Sequence, residues 1–362
     1  MSLLHALGWV VLAVALVAAW VWAVRRWTRP GPDPSRPLRA ICRDGWSLAV
    51  YHRAPTERRF VEPVILSHGL AANRYCFDLD PPYSLSAVLA DAGFECFVVE
   101  WRGTGGSRAA PRGRAPMNYT VDDHIDLDGP AAIELARAET GAPKVFWVGH
   151  SLGGLVGYGV AQGPAGDALA GLVTIGSPVA LEASVLQRRL LRMALRLSRP
   201  WALRHEWLAA GVAPLAGRVP NNFFASALAN TNEIEPRIQR QLLAHQIASI
   251  GRGVLLQFND WIQASAFRSV DRQRDFRAGL ANVRAPLLCI AGSADFMAPP
   301  AAALAAMDLA GSADKTALLF GTPHGHAADY GHADLIFGRC APAEVYPVVL
   351  EWLEARATRT KE

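Results

Sequence analysis

Lys144-Val145-Phe146-Trp147-Val148 runs straight into Gly149-His150-Ser151-Leu152-Gly153-Gly154, and this stretch decides the fold. An apolar strand, a glycine–serine–glycine turn and a helix-like run follow one another without a gap, as the G-x-S-x-G pattern requires. The turn forces Ser151 into a strained backbone conformation. Side chains at Gly149 and Gly153 would collide with neighbouring backbone. Ser151 then stands at a helix N-terminus, where the dipole and the free N–H of Leu152 stabilise an oxyanion. A glycine-rich structural turn shares the five-residue pattern by chance, so context and partners must carry the reading.

Working outward, apolar β-rich runs alternate with helical segments at Val64–Leu66, Cys96–Val99, Val145–Val148, Leu172–Ile175, Leu287–Ile290 and Ala317–Phe320. Continuous rather than alternating hydrophobicity marks strands buried on both faces, and strand–helix alternation marks a parallel sheet. Leu38–Cys42 and Ser47–Tyr51, joined at Asp44-Gly45, read as a hairpin in front of them. The expected fold is α/β, doubly wound, with a mostly parallel sheet. Between Pro178 and Pro286 the rhythm breaks and the chain turns helical, which predicts an inserted cap. Ser184–Arg199 places Val185, Leu186, Leu190, Met193 and Leu197 largely on one helical face.

A serine at its ordinary pKa is a weak nucleophile and needs a histidine base oriented by an acid, in the chain order Ser, Asp or Glu, His. Asp295 follows the strand Leu287–Ile290 through Ala291-Gly292-Ser293-Ala294, at the strand end where catalytic side chains converge; capping of the next turn is the plainer role for it. His324, His326 and His332 compete as base, and His332 lies farthest past the last strand. His324-x-His326 with Asp329 and His332 resembles a binuclear metal motif, but its spacing is off and a serine nucleophile needs no metal. No metal or cofactor is expected. His68-Gly69 follows Val64–Leu66 and falls where a second oxyanion donor belongs, so the N–H of Leu70 is the candidate; His68 is either a supporting group or a loop residue with a satisfied ring. Gly103-Thr104-Gly105-Gly106 lacks the phosphate-loop pattern and reads as a turn. Asp122, Asp123, Asp126 and Asp128 crowd a helix start, where acids suit the dipole, and do not follow a calcium-loop pattern.

From Leu3 to Val24 the chain is apolar except for His5 and Gly8, and these 22 residues span about 33 Å as a helix, enough to cross a bilayer core. A cleaved signal peptide would carry a positive start and a shorter apolar stretch, so an uncleaved single-pass anchor is expected. Arg25, Arg26 and Arg29 follow at once and predict a cytoplasmic catalytic side. Pro30, Pro32, Pro34 and Pro37 predict a stiff spacer holding the body off the bilayer. The chain has 362 residues and a net charge of +4, but residues 181–284 alone carry +8, from 15 Arg and no Lys against 7 acidic residues. A basic surface beside a membrane favours anionic headgroups. No recognition motif or stacking pattern accompanies the arginines, which argues against nucleic acid. Cys42, Cys76, Cys96, Cys289 and Cys340 lack any CxxC or metal spacing and read as buried thiols. The expected organisation is an anchor at 1–28, a linker at 29–37, core segments at 38–180 and 285–362, and a helical cap at 181–284.

These residues resemble the acid-lipase branch of the α/β hydrolases, the group of gastric and lysosomal lipases. The likeness rests on Arg43-Asp44-Gly45-Trp46-Ser47-Leu48, Leu66-Ser67-His68-Gly69-Leu70, Arg102-Gly103, Gly149-His150-Ser151-Leu152-Gly153 and Tyr330-Gly331-His332-Ala333-Asp334-Leu335-Ile336-Phe337-Gly338. In that family the histidine of Y-x-H-x-D-F is the base, so the resemblance implies His332 and a cap over an acyl pocket. The pattern here ends in Leu335 rather than Phe, and the cap shows no similarity. A weaker likeness to polyhydroxyalkanoate synthases meets Ser151 where those carry Cys. The resemblance implies ester cleavage: Ser151 attacks, His332 acts as base, Asp295 orients it, and the N–H groups of Leu70 and Leu152 hold the oxyanion. A lipid-like ester is the expected substrate. An acyltransferase with the same triad, and a membrane-tethered binding protein on a dead scaffold, are the alternatives.

Overall fold

The computed structural model describes residues 3–109, 117–181, 185–197, 205–218 and 230–361. One eight-stranded sheet organises it: β1 (Arg36–Ile41), β2 (Ser47–Arg53), β3 (Val64–Ser67), β4 (Cys96–Glu100), β5 (Val145–His150), β6 (Leu169–Ile175), β7 (Leu287–Gly292) and β8 (Lys315–Phe320). The order is β1-β2-β4-β3-β5-β6-β7-β8. β1 and β2 form the antiparallel hairpin, β2 meets β4 antiparallel, and every later pairing is parallel.

The continuous apolar runs are explained by packing on both faces. In β5, Val145 and Trp147 join one core and Phe146 and Val148 the other. Helices Gly129–Thr140 and Leu152–Ala161 cover the first face, and helices Leu85–Asp91 and Ala341–Glu354 the second. β3 is the switch point, with β4 on one side and β5 on the other. The crevice beyond its carboxyl end is where an open α/β sheet binds ligands.

Between β6 and β7 the chain leaves the sheet and forms helices Val185–Leu197, His205–Val212, Pro236–Gln241 and Arg252–Ala264. This insert is tied to the core loops. The Ala248 N–H donates to Ala71 O at 2.9 Å, Asn73 Nδ2 to His245 O at 2.7 Å, and the Val121 N–H to Gln257 Oε1 at 2.8 Å. Four of its arginines pair with carboxylates: Arg268 and Arg272 with Asp260, Arg274 with Asp126, Arg237 with Asp80. The basic excess seen in the sequence is therefore partly neutralised by ion pairs.

Leu7–Trp27 lies in a single helix and is long and apolar enough to cross a membrane. Its last turns dock on the insert. Trp20 Nε1 donates to Gly211 O at 2.9 Å, Arg25 Nε to Ala244 O at 3.1 Å, and Thr28 Oγ1 lies 3.1 Å from His245 Nε2. The proline segment is not the stand-off spacer expected from its composition. Asp33 pairs with Arg74, the Gly31 N–H bonds Asp80, and Ser35 Oγ reaches Asp78 at 3.4 Å, so the segment is pinned along the body. Proline stiffness limits the backbone, but these polar anchors decide where it runs.

Helix Leu152–Ala161 approaches β3 so closely that a Cβ at Gly153 would sit 2.0 Å from Ser67 O. Gly153→Ala is therefore expected to destabilise by about 3 kcal/mol or more, because backbone must move. At Gly141 nothing lies within 4 Å of a Cβ and only the positive φ of 71° is strained. Gly141→Ala should cost only about 1 kcal/mol. Denaturant unfolding of the two variants checks the contrast, and equal losses would contradict the close approach.

Candidate active site

Ser151 follows β5 directly at φ 53° and ψ −120°, backbone values that a non-glycine residue holds only under constraint. The constraint is visible: its N–H donates to Ile175 O at 2.8 Å, and a Cβ on Gly149 would meet Gly153 and Gly154 backbone at 2.4 Å. Ser151 precedes the first residue of helix Leu152–Ala161, so the Leu152 N–H has no acceptor within the helix. Gly69 lies against Ser151, its pro-Cβ position 3.1 Å from Ser151 Cβ. The next residue but one, Ala71, has φ 57°, which turns the loop after β3. Neither the Leu70 nor the Leu152 N–H donates to another protein group among the described residues.

Asp295 stands three residues past β7 and is buried. Its two oxygens do different work. Oδ1 accepts from the Ala298 N–H at 2.7 Å, which is the plainer, turn-capping role, while Oδ2 accepts from His332 Nδ1 at 2.8 Å. Capping and pairing with histidine thus coexist on one carboxylate. Gly176, after β6, faces the same pair: a Cβ there would lie 3.2 Å from Asp295 Oδ2 and 3.3 Å from His332 Nδ1.

His324 is exposed, and His326 stacks on Phe320 at 4.3 Å between centroids with Nδ1 beside Gly321. Asp329 caps Thr322 and bonds Ser293. Of the three candidate histidines, only His332 bonds Asp295. The structure thus brings His332 to Asp295, and Gly69 and His150 to Ser151.

Sequence reasoning missed His150 and Asp334. His150 occupies the variable position of the serine turn, where the motif itself carries no signal. Its Nε2–H donates to His332 O at 3.0 Å, and the two rings lie 4.7 Å apart. Asp334 accepts from the Gly331 N–H at 2.6 Å and the Asn230 N–H at 3.0 Å, clamping the loop that carries His332. The signal for Asp334 was its place two residues after His332 in the Tyr330–Gly338 motif. His68 proves to be buried with a satisfied ring: Nδ1 donates to Gly69 O at 2.8 Å and Nε2 accepts from the Trp101 N–H at 3.4 Å. It supports the loop through those bonds. Asp128 is no dipole-facing surface acid either. It is buried, its Oδ1 2.7 Å from Arg102 and its Oδ2 2.8 Å from His124 Nδ1, contacts that offset the burial of its carboxylate.

The alpha/beta hydrolase fold family model matches residues 62–338, and the chain belongs to that family. Gastric triacylglycerol lipase of Mus musculus is 31% identical over 137 residues, 34% of this chain and 34% of that protein. A poly(3-hydroxyalkanoate) polymerase subunit of Haloferax mediterranei is 20% identical over 344 residues, 89% of this chain and 64% of that protein. The chain therefore aligns with about a third to two thirds of these relatives' own lengths. A thermophilic esterase from Thermogutta terrifontis superposes with a TM-score of 0.59 at 20% identity, covering 89% of this chain and 100% of the esterase, which establishes the shared fold.

Burial pushes His68 down to about 4 and, with the His332 charge adding to burial, His150 down to about 3, so both stay neutral near pH 7. In the unfolded chain both ionise near 6.5. Their contribution to stability is full above that value and is lost as pH falls toward the folded values, by up to ~1.4 kcal/mol per pH unit for each. Asp334 acts the other way: burial raises it to about 6, so it takes up a proton in the folded state over part of the same window. The expected contribution of the two histidines is a loss of stability as pH falls from about 6 to about 4, opposed in part by Asp334. His68→Gln should flatten it. Denaturant midpoints across that range measure the slope, and an undiminished slope in the variant would contradict the assignment.

Proposed function

We propose that this chain is a membrane-anchored serine hydrolase of carboxylic esters, lipid-like ones above all, acting through Ser151, His332 and Asp295. One observation carries the reading: His332 Nδ1 lies 2.8 Å from Asp295 Oδ2, with the His332 ring 4.7 Å from that of His150, the neighbour of a serine held at φ 53°. A strained serine, a paired histidine and unbonded N–H groups at Leu70 and Leu152 are the parts that acyl transfer needs.

In the proposed mechanism Ser151 Oγ attacks the ester carbonyl while His332 Nε2 takes its proton. Asp295 holds Nδ1–H, which fixes the tautomer and stabilises the imidazolium. The negative charge that develops on the carbonyl oxygen is met by the Leu70 and Leu152 N–H groups. Collapse expels the alcohol, protonated by His332, and leaves an acyl-serine. Water activated by the same histidine then releases the acid. Gly149 and Gly153 keep the turn tight, and His68 and Gly69 shape the oxyanion loop. The cavity between His68, Leu70, Leu152 and Val254 measures about 20 Å³, too small for an acyl chain. Admission of a substrate there requires residues 249–254 of the insert to move.

The anchor supports the lipid reading. Next to helix Leu3–Trp27, the insert exposes Trp207, Leu208, Val212 and Leu215, side chains suited to an acyl boundary. Residues 1–28 then form the anchor, 29–37 the linker, 38–180 and 285–362 the core and 181–284 the cap, with the body on the cytoplasmic side that Arg25, Arg26 and Arg29 favour. A second reading, transfer of the acyl group to an alcohol instead of water, is favoured by the long match to the polymerase subunit.

A fluorophosphonate probe should label the wild type and spare Ser151→Ala. On p-nitrophenyl esters of rising acyl length, Ser151→Ala, His332→Ala and Asp295→Asn should each lose about 10³-fold or more in kcat, with His324→Ala and His326→Ala unaffected. Retained turnover in His332→Ala would remove the proposed base. Adding an alcohol acceptor and analysing products separates hydrolysis from transfer.

A further inference from the structure

Beside the foot of the N-terminal helix lies a cleft of about 1080 Å³, remote in its lining from Ser151, His332 and Asp295. Its walls are the last turn of that helix, the pinned proline segment and the loop from Arg74 to Pro81. Three carboxylates line it, and each already has its cation. Asp33 pairs with Arg74, Asp78 with Arg53, and Asp80 with Arg237 at 2.8 Å and Gln241 at 2.7 Å.

Arg25, Arg26 and Arg29 also line the cleft, and none of them meets a carboxylate within 4 Å among the described residues. Arg25 is held in place by its Nε bond to Ala244 O, while its two terminal nitrogens donate to no group among the described residues. Arg26 rests over the Trp22 ring at 5.9 Å and Arg29 is exposed. The helix C-terminus contributes roughly half a negative charge, less than three guanidinium groups supply. The cleft is thus a cationic cavity whose own acids are spent.

Its depth relative to a bilayer is marked by neighbours. Trp20, Trp22 and Trp27 are 52%, 66% and 57% exposed on the turns that carry the arginines, the pattern of an interfacial belt. Above them the helix is bare and apolar; below them lies the body. The arginines therefore stand where phosphate groups of a bilayer stand, and guanidinium forks match phosphate oxygens in pairs.

We propose that this cleft binds the phosphate of an anionic phospholipid headgroup, held by Arg25, Arg26 and Arg29. The inference rests on the anchor part of the function proposed above and is independent of the ester chemistry. A bound headgroup would fix the helix foot against Ala244 and His245, and so fix the distance of the insert from the bilayer.

The test uses the full chain. In detergent, its unfolding temperature is followed while dihexanoyl phosphatidylglycerol, dihexanoyl phosphatidylcholine or inorganic phosphate is titrated in; binding to the folded state raises it saturably. The expected result is a rise with the glycerol lipid alone, lost in Arg26→Gln/Arg29→Gln and retained in Arg192→Gln/Arg196→Gln, which removes equal charge from the insert. Arg26→Lys/Arg29→Lys should keep part of it, which shows that a lost rise reflects charge and not misfolding. Equal rises with both lipids, an equal rise with inorganic phosphate, or a rise undiminished in the Arg26/Arg29 variant would each overturn the proposal. Reconstitution into phosphatidylcholine nanodiscs separates the two readings: failure to co-elute with the discs removes the anchor, whereas co-elution without any preference for the anionic lipid removes the cleft alone.

Discussion

Ser151 can keep its left-handed backbone because two strands and a helix leave it nowhere else to go. Its N–H is bonded to Ile175 at the end of β6, Gly149 is pressed against Gly153 and Gly154, and Gly153 touches the Ser67 carbonyl at the end of β3. Such a conformation costs on the order of 1–3 kcal/mol, which the surrounding core has to offset. Much else follows from that close approach. It sets the β3–β5 spacing at the switch point, brings Gly69 so close that a Cβ there would lie 3.1 Å from Ser151 Cβ, and orients helix Leu152–Ala161 so that its first N–H is open.

The fold was largely legible in the sequence, for a physical reason. Strands buried on both faces must be apolar throughout, so the parallel strands appeared as unbroken runs, and the hairpin before them was marked by its Asp44-Gly45 turn. The structure mostly lengthens these runs, as from Leu172–Ile175 to Leu169–Ile175. The residues at strand ends were legible for a related reason, since an Asp or His just past a buried strand has few places to point. Asp295 follows from that argument; His332 lies well past the end of β8 and was singled out instead by that distance and by the likeness of Tyr330–Gly338 to the acid-lipase pattern. What the sequence hid was long-range and polar. Nothing local to Pro30–Pro37 tells that Asp33 will find Arg74, and nothing local to Trp20 tells that it will bond a carbonyl 191 residues away. His150 was hidden differently, because the serine motif leaves its position open and its partner is a backbone carbonyl on another loop.

The charge count of residues 181–284 shows the same limit. Composition reports a strongly basic segment, but Asp260 meets two of its arginines and Asp126 and Asp80 one each. Only three-dimensional pairing separates spent charge from free charge. By that criterion Arg25, Arg26 and Arg29 at the foot of the N-terminal helix, which meet no carboxylate within 4 Å among the described residues, count as free charge.

The insert joins parts of the molecule that the sheet keeps apart. Asn230 bonds Asp334 and so reaches the loop of His332; Ala248 bonds Ala71 and His245 accepts from Asn73, both on the loop after β3; His245 and Ala244 in turn hold Thr28 and Arg25 at the foot of the N-terminal helix. Each bond alone contributes about 1 kcal/mol, so none is a lock. Together they mean that a displacement of residues 242–249 changes the seating of the helix and of the loop after β3 at once. The cavity at Val254 is too small for an acyl chain, so some such displacement has to accompany substrate there. On the proposed lipid reading, apolar surface leaving water would help to drive that displacement, and Trp207, Leu208, Val212 and Leu215, exposed beside the membrane-length helix, are side chains placed to contribute.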